Sequence, residues 1–587
     1  MQSEDTRNLV LAVVIVLAMM IGYQLFVSKF VAPRPAARTE QTVATGAGSK
    51  TTPAAVGSPD LAAAPPAAPE DRAAVLGRGG RVAIKAPRLN GSIRLEGGRL
   101  DDLTLVGYRQ TLDKDSPDVV LLSPASTAVP YYADFGWQNV QGGTVPVPGA
   151  TTVWQADGEL LSPGKPVTLT WDNGQGQVFS RTYSIDDNYM ITVADKVENQ
   201  GGAPVSLQPY GAVNRIGIPE AVKSAIVHEG FVGVFNETLA HESYKDQKED
   251  TDEGKLKNDR QAIAKASTGG WLGITDKYWL VAYIPDQKQP FNGWFEYRNV
   301  NGRDVFRSVH TGAQTVVPAG GAVATTGHLF AGAKETKLID AYEKSFGIVM
   351  FDRAIDWGWF YFLARPVFWL LELLKGWVGN FGLAILAITV IIKLAFFQLA
   401  NKSYIAMGKM RKLAPKMTAL RERFKDDPVK QREEVMKLYQ TEKVNPVAGC
   451  LPILVQIPVF IALYQVLMVS IEMRHAPFYG WVHDLSGHDP LLITNLFGLI
   501  PWQPPAFMAI GLWTAIMGVT MYVQQRLNPP PPDPIQAKVF QFLPLIFIFL
   551  FASFPVGLVI YWTWNNLLTI AQQWLIMKRH GAFEESK

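Results

Sequence analysis

Apolar residues recur along this chain with three different periods, and the changes of period mark its parts. Residues 9–27 form one unbroken apolar run, long enough to cross a bilayer. It exceeds a signal-peptide core, and Glu4 and Asp5 dilute any positive charge ahead of it, so it reads as an uncleaved anchor, although Ala36-Ala37 leaves a cleavage site open. From about residue 81 to 332 the pattern shortens to period two. Val167, Leu169 and Trp171 alternate with threonines, Ile191, Val193 and Val197 keep the same step, and Gly, Asn and Asp break the runs. Alternation with frequent turn residues predicts a large all-β sandwich. Between anchor and sandwich, residues 31–71 are rich in Ala, Pro, Gly and Thr, the composition of a flexible linker. The charged stretch 245–260, KDQKEDTDEGKLKNDR, reads as an insertion forming a solvated loop or a disordered segment.

Helical periods take over after residue 335. A short helix over 335–347 closes the β domain. A second over 366–377 gathers Arg365, Glu372 and Lys375 against Phe, Trp, Leu and Val, as expected of a helix lying in a membrane interface. Gly379 ends it. Long apolar runs follow at 381–397, 449–470, 506–525, 538–554 and 556–577, the last two joined at Phe554-Pro555-Val556-Gly557. Pro452 and Pro458 fall inside one of these runs and are tolerable where neighbours satisfy the freed carbonyls. The polar stretch 401–443 interrupts them. Met407, Met410, Leu413, Met417, Leu420 and Phe424 mark one face of an amphipathic helix, and Asp427-Pro428 starts a second, which together make an antiparallel hairpin.

Charge supplies the orientation. The hairpin carries 12 Lys/Arg against 6 Asp/Glu and belongs in the cytoplasm, whereas loop 471–505 has one basic and three acidic residues and belongs outside. Parity then puts the β domain outside and both termini inside, with six spans. Lys29, Arg34 and Arg38 oppose this locally, but long translocated domains escape the charge rule. The expected organisation is an anchor (1–30), a linker (31–80), the β domain (81–334), connecting and interfacial helices (335–379), a five-helix core (380–578) and a short tail (579–587).

The candidate chemistry is sparse. No Walker loop, GxSxG or HExxH occurs; His228-Glu229 and His241-Glu242 begin the zinc pattern without its second histidine. A single cysteine, Cys450, excludes an intrachain disulfide. Neither an enzyme nor a cofactor is expected. The exception to this blandness is Lys393, inside the run FGLAILAITVIIKLAFF. A lysine at the centre of a spanning helix costs about 2.5–3.5 kcal/mol on insertion scales. Two readings are open: Lys393 snorkels to the nearer interface, or it faces a wet cavity. The downstream apolar runs hold no carboxylate but do hold Gln456, Gln541, Asn565, Asn566, Thr569 and Gln572, which favours the cavity. Asn565, Thr569 and Gln572 share one helical face.

Two long motifs, KVNPVAGCLPILVQIPVFIALY (443–464) and FPVGLVIYWTWNNLLTIAQQWLI (554–576), closely resemble the YidC family of bacterial membrane protein insertases, within the wider Oxa/YidC/Alb superfamily. The order of anchor, outer β domain, interfacial helix and basic hairpin is that of its Gram-negative members, so the resemblance spans essentially the whole chain. It implies a polytopic α-helical protein of the bacterial inner membrane with a periplasmic β-sandwich. Its function would be insertion and chaperoning of membrane proteins through a hydrophilic groove open to cytoplasm and lipid. The implied partners are nascent membrane proteins, the Sec translocon, the ribosome and membrane lipids, with no specific nucleic-acid sequence. The family's groove arginine falls on Lys393, which keeps the charge without the bidentate fork. A frequent proline falls on Gln398, and further groove positions fall on Gln456, Tyr561, Trp562 and Thr569. The hairpin methionines read either as its packing seam or as a greasy surface, and its charge suits ribosomal RNA and anionic lipid alike; Met407, Met410, Arg411, Lys412 and Met417 are expected to meet client or ribosome. An insertion around 498–505 lengthens the outer loop. A transporter or channel with Lys393 as anion site, and a membrane-anchored carbohydrate-active protein, are the alternatives.

Overall fold

The computed structural model describes residues 69–140, 142–218, 227–252, 263–358, 360–425, 427–442, 444, 451–502, 504–505, 508–528 and 534–580. The expected anchor, most of the linker, Cys450 and the end of the tail lie outside these residues. The described chain falls into two compact units that divide between Asp356 and Trp357, with Val469–Ile471 grouped with the first.

The first unit is the sandwich that the alternation predicts. An 11-stranded sheet and a 9-stranded sheet are antiparallel almost throughout; the pairing of Arg81–Lys85 with Leu160–Leu161 is parallel. Strand Met190–Asn199 buries Ile191, Val193 and Val197 as period two requires, and pairs with Gln177–Ile185 on one side and Ala322–Ala333 on the other. The core is aromatic. Phe231 stacks on Phe295 with centroids 4.9 Å apart, and Trp271 and Tyr183 are fully buried. Arg181 is buried too, which is tolerable because Asp195 accepts from its Nε at 2.7 Å and the Gly98 carbonyl from its Nη1 at 3.2 Å.

Three helices accompany the strands: α1 (Arg72–Leu76), α2 (Tyr244–Asp252) and α3 (Thr336–Phe346). α2 corrects the expected loop at 245–260, since its first part is helical, with Lys245 and Glu249 paired at 3.5 Å one turn apart. α3 ends, as expected, at Gly347 in the left-handed region.

The second unit is all helical. α4 (Tyr361–Val378) begins five residues before the expected start. It buries Ala364, Val367, Phe368, Leu371 and Leu374 and leaves Phe362, Trp369 and Trp377 exposed. α5 (Phe381–Ala395) follows at 117° to it. The joint is fixed by Asn380, whose side chain accepts from Leu383 N and donates to the Pro477 carbonyl. α6 (Phe397–Arg423) and α7 (Pro428–Thr441) form the hairpin, with Asp427 accepting from Val429 N and Lys430 N as the expected cap. α8 (Leu451–Val469), α9 (Leu512–Leu527), α10 (Pro534–Phe551) and α11 (Val556–Arg579) complete the unit.

Two boundaries differ from the apolar pattern. The run 381–397 breaks at Phe396, so α6 starts within it, although neither Gly nor Pro marks the place. α9 starts six residues later than the run 506–525, because Ile510 and Gly511 pair instead with Ile493 and Leu492. Among the described residues no single helix is by itself long and apolar enough to cross a membrane; α4 and α5 reach that mark only together, as a bent pair.

Candidate functional site

The last turn of α5 places Lys393. Unpaired carbonyls at a helix C-terminus favour a cation there, which partly offsets the cost of an amine among apolar residues. The side chain is half-buried, and its Nζ donates to Thr569 Oγ1 on α11 at 2.8 Å. Thr569 in turn donates to the Asn565 carbonyl at 2.7 Å. The single hydroxyl proton is thereby used on the helix's own backbone, and the oxygen's lone pairs are left for the ammonium. Among the described residues no counter-charge acts on Lys393.

Around this contact, α11 sorts its polar groups onto two sides. Asn565 and Thr569 are buried and Gln572 half-buried, the face that the spacing selects. Asn565 Oδ1 and Gln572 Nε2 are buried with no hydrogen-bond partner. These orphaned amide atoms, on the helix whose Thr569 receives Lys393, leave hydrogen-bonding capacity that the protein does not fill. The adjoining side holds Asn566, already singled out in the sequence, and Gln573, which the sequence reading missed. Asn566 donates to Thr520 Oγ1 at 3.2 Å, and Gln573 to Asn528 Oδ1 at 3.0 Å, fastening α11 to α9. The seven-residue step from Asn566 is the signal that could have found Gln573.

Nearer the start of α11, Tyr561 is fully buried and its hydroxyl accepts from Gln456 Nε2 of α8. Trp562 packs edge-on against Phe460 at 4.9 Å and tilted against Phe551 at 5.2 Å, so it joins α8, α10 and α11 in one aromatic cluster. Trp564 Nε1 donates to the Leu386 carbonyl at 3.2 Å and holds α11 against α5. The structure therefore brings Lys393 to Thr569 and Gln456 to Tyr561, two separate contacts along one helix.

The hairpin residues sit elsewhere. Met417 is buried with Leu413, Tyr439 and Val444, and the Tyr439 hydroxyl donates to its sulfur at 3.4 Å. Met407 is buried against Tyr404 and Ile576, with Met410 packed beside both clusters. In this structure the side chains of Met407 and Met417 are spent on packing. Arg411 donates to the Leu527 carbonyl and Lys412 to that of His580, each at 3.4 Å. These carbonyls close α9 and α11, so both cations sit where a helix dipole favours them.

In the β domain, His228 and His241 come together with ring centroids 5.1 Å apart. Burial first, then the neighbouring ring, holds His228 down to about 4. Its Nε2 lies 2.8 Å from the Phe231 carbonyl. Among the described residues no three His, Cys, Asp or Glu side chains gather to hold a metal.

Comparison with known proteins assigns both units. Residues 81–370 match the family described as YidC periplasmic domain, and residues 373–583 the family described as 60Kd inner membrane protein. The membrane protein insertase YidC of Methylorubrum extorquens is 48% identical over 596 residues, covering 98% of this chain and 96% of its own. That of Granulibacter bethesdensis is 48% identical with 98% of each chain covered. That of Rhizobium meliloti is 45% identical, covering 98% and 96%. The chain belongs to the YidC family, as an inner-membrane protein with a periplasmic β-sandwich domain.

Proposed function

We propose that this chain inserts proteins into the inner membrane, without catalysing a covalent step, by lowering the barrier that a short polar segment meets in crossing. The observation that carries the reading is the Lys393–Thr569 contact, a lone cation seated on a hydroxyl with two unfilled amide atoms nearby. The relatives named above are all membrane protein insertases, and neither the transporter nor the carbohydrate reading finds support among them.

A client must move a polar tail outward while its apolar stretch enters lipid. Each unpaired polar group in hydrocarbon costs several kcal/mol. An interior of amides, hydroxyls and one cation substitutes for water over part of that path, and attracts acidic tails more than basic ones. Burial of the client's apolar segment, at about 25 cal/mol per Å², supplies the driving force. In this reading the groove comprises Lys393, Gln456, Tyr561, Trp562, Asn565, Thr569 and Gln572. The chain crosses the membrane six times with both termini in the cytoplasm, and the basic hairpin faces the ribosome and emerging chain, alone or beside the Sec translocon. Depletion of the protein in its own cell, with insertion of small one- and two-span proteins scored by protease protection, tests it. Unchanged insertion after depletion would reject the proposal.

A further inference from the structure

The loop between α8 and α9 carries side chains that the groove does not use. Its base is a narrow hairpin: Leu492 bridges Gly511, Ile493 N donates to the Ile510 carbonyl, and Leu512 N donates to that of Leu491, both at 2.9 Å. Beyond the base, Asn495 folds the chain back. Its side chain accepts from Gly498 N at 3.0 Å and its carbonyl from Ile500 N at 3.1 Å. Within this turn Leu496 and Phe497 hold φ of 51° and 59°. Two successive non-glycine residues in the left-handed region are rare, because Cβ crowds the following carbonyl.

The turn throws its apolar side chains outward. Leu499 is 82% exposed, Phe497 52% and Leu496 51%, with Ile500 and Trp502 close behind. A built turn with strained backbone and a bare greasy tip does not suit water.

We infer that this tip is a wedge seated in the acyl chains of the periplasmic leaflet. Three features select lipid as the occupant. From residue 490 to 525 the chain contains no Asp, Glu, Lys, Arg or His, so no charge in this stretch opposes entry into lipid. The hairpin base runs directly into α9 at Leu512, which keeps the tip within a few residues' reach of the bilayer surface. Trp502, apolar in body and polar at one edge, is of the type that settles at the headgroup level. The inference rests on the membrane placement of α9 and not on insertion activity.

The test uses the full chain in bilayers of phosphatidylethanolamine and phosphatidylglycerol, with Cys450→Ser and a fluorophore attached through Leu499→Cys or, as an exposed control in the same loop, His483→Cys. Lipids bearing a nitroxide on the acyl chain should quench the label at 499 several-fold more than the label at 483, and aqueous iodide should do the reverse. Adding Phe497→Glu to the Leu499→Cys protein should reduce the lipid quenching several-fold. Equal access of iodide to both positions would overturn the wedge. Shielding from iodide without nitroxide quenching would also overturn it, since protein rather than lipid then covers the tip. Client insertion in the same bilayers reports separately on the function proposed above.

Discussion

The ammonium of Lys393 rests on the hydroxyl of Thr569, 2.8 Å away across two helices that lie 176 positions apart in sequence. Hydrogen bonds to charged groups are worth about 1.5–3 kcal/mol, enough to hold the lysine inward against its tendency to reach for the interface. Removing either partner should therefore be felt.

Lys393→Arg should retain insertion, Lys393→Ala should impair clients with acidic translocated tails, and Lys393→Glu should be the most damaging. Thr569→Val removes the acceptor and should weaken the same clients less than Lys393→Glu does, whereas Thr569→Ser should not. The measurement is complementation together with insertion of acidic-tail clients at matched expression. Full activity of both the Ala and the Glu variants would reduce Lys393 to a snorkelling residue.

Burial of the hairpin methionines gives a different kind of expectation. Met417 is 6% exposed and Met436 55%. A photoreactive residue at 436 should cross-link to a stalled nascent chain or ribosome more strongly than one at 417. Met417→Ser should loosen the hairpin, at about 2–4 kcal/mol for a truncated core methionine, and be seen as faster proteolysis between α6 and α7. Stronger cross-links from 417 than from 436 would mean that the hairpin opens in use.

The β domain should lose stability in acid through His310. Its ring is buried between Tyr283 and Phe291, its Nδ1 has no partner, and burial lowers its pKa to about 3. The folded state thus binds its proton less readily than the unfolded chain, whose histidine titrates near 6.5. Stability from this site is complete above pH 6.5 and is lost as pH falls towards 3, by on the order of a few kcal/mol at the acid end. Urea unfolding of the β-domain signal at pH 7 and pH 4 should show the difference. His310→Phe should flatten it.

The division at Asp356/Trp357 and the separate aromatic core argue that the sandwich is dispensable for insertion itself. Deleting residues 81–320, while keeping α3, should leave insertion largely intact in a strain without the full-length protein. Complete loss with the shortened chain stably present would count against this.

How far these features could be read in advance depended on whether a local rule governed them. Strand Met190–Asn199 and the Asp427 cap are set by neighbours in sequence, through period two and a side-chain oxygen near two backbone N–H groups, and both were legible. The break at Phe396 was not, because it lacks Gly or Pro and is imposed by packing. Lys393 and Thr569 were each legible as polar residues out of place, but their meeting depends on how α5 and α11 pack. Gln573 was not legible, because it lies off the face of Asn565, Thr569 and Gln572. Its partner, Asn528, lies at the end of another helix. Met407 and Met417 were found as a stripe, yet a stripe alone does not say whether it is covered.

The joint at Asn380 has a mechanical consequence. α5 is 15 residues long, about 22 Å at 1.5 Å per residue, against a hydrocarbon core of about 30 Å. Because α4 turns away at 117°, the chain adds no length along α5's axis at that end. If α5 spans the membrane as proposed, lipids beside it would compress to meet it, at a fraction of a kcal/mol for each Å. This elastic mismatch would be borne by the bilayer rather than by the protein. It would leave the lipid thinned beside the helix that carries Lys393, where a polar segment would have less hydrocarbon to cross.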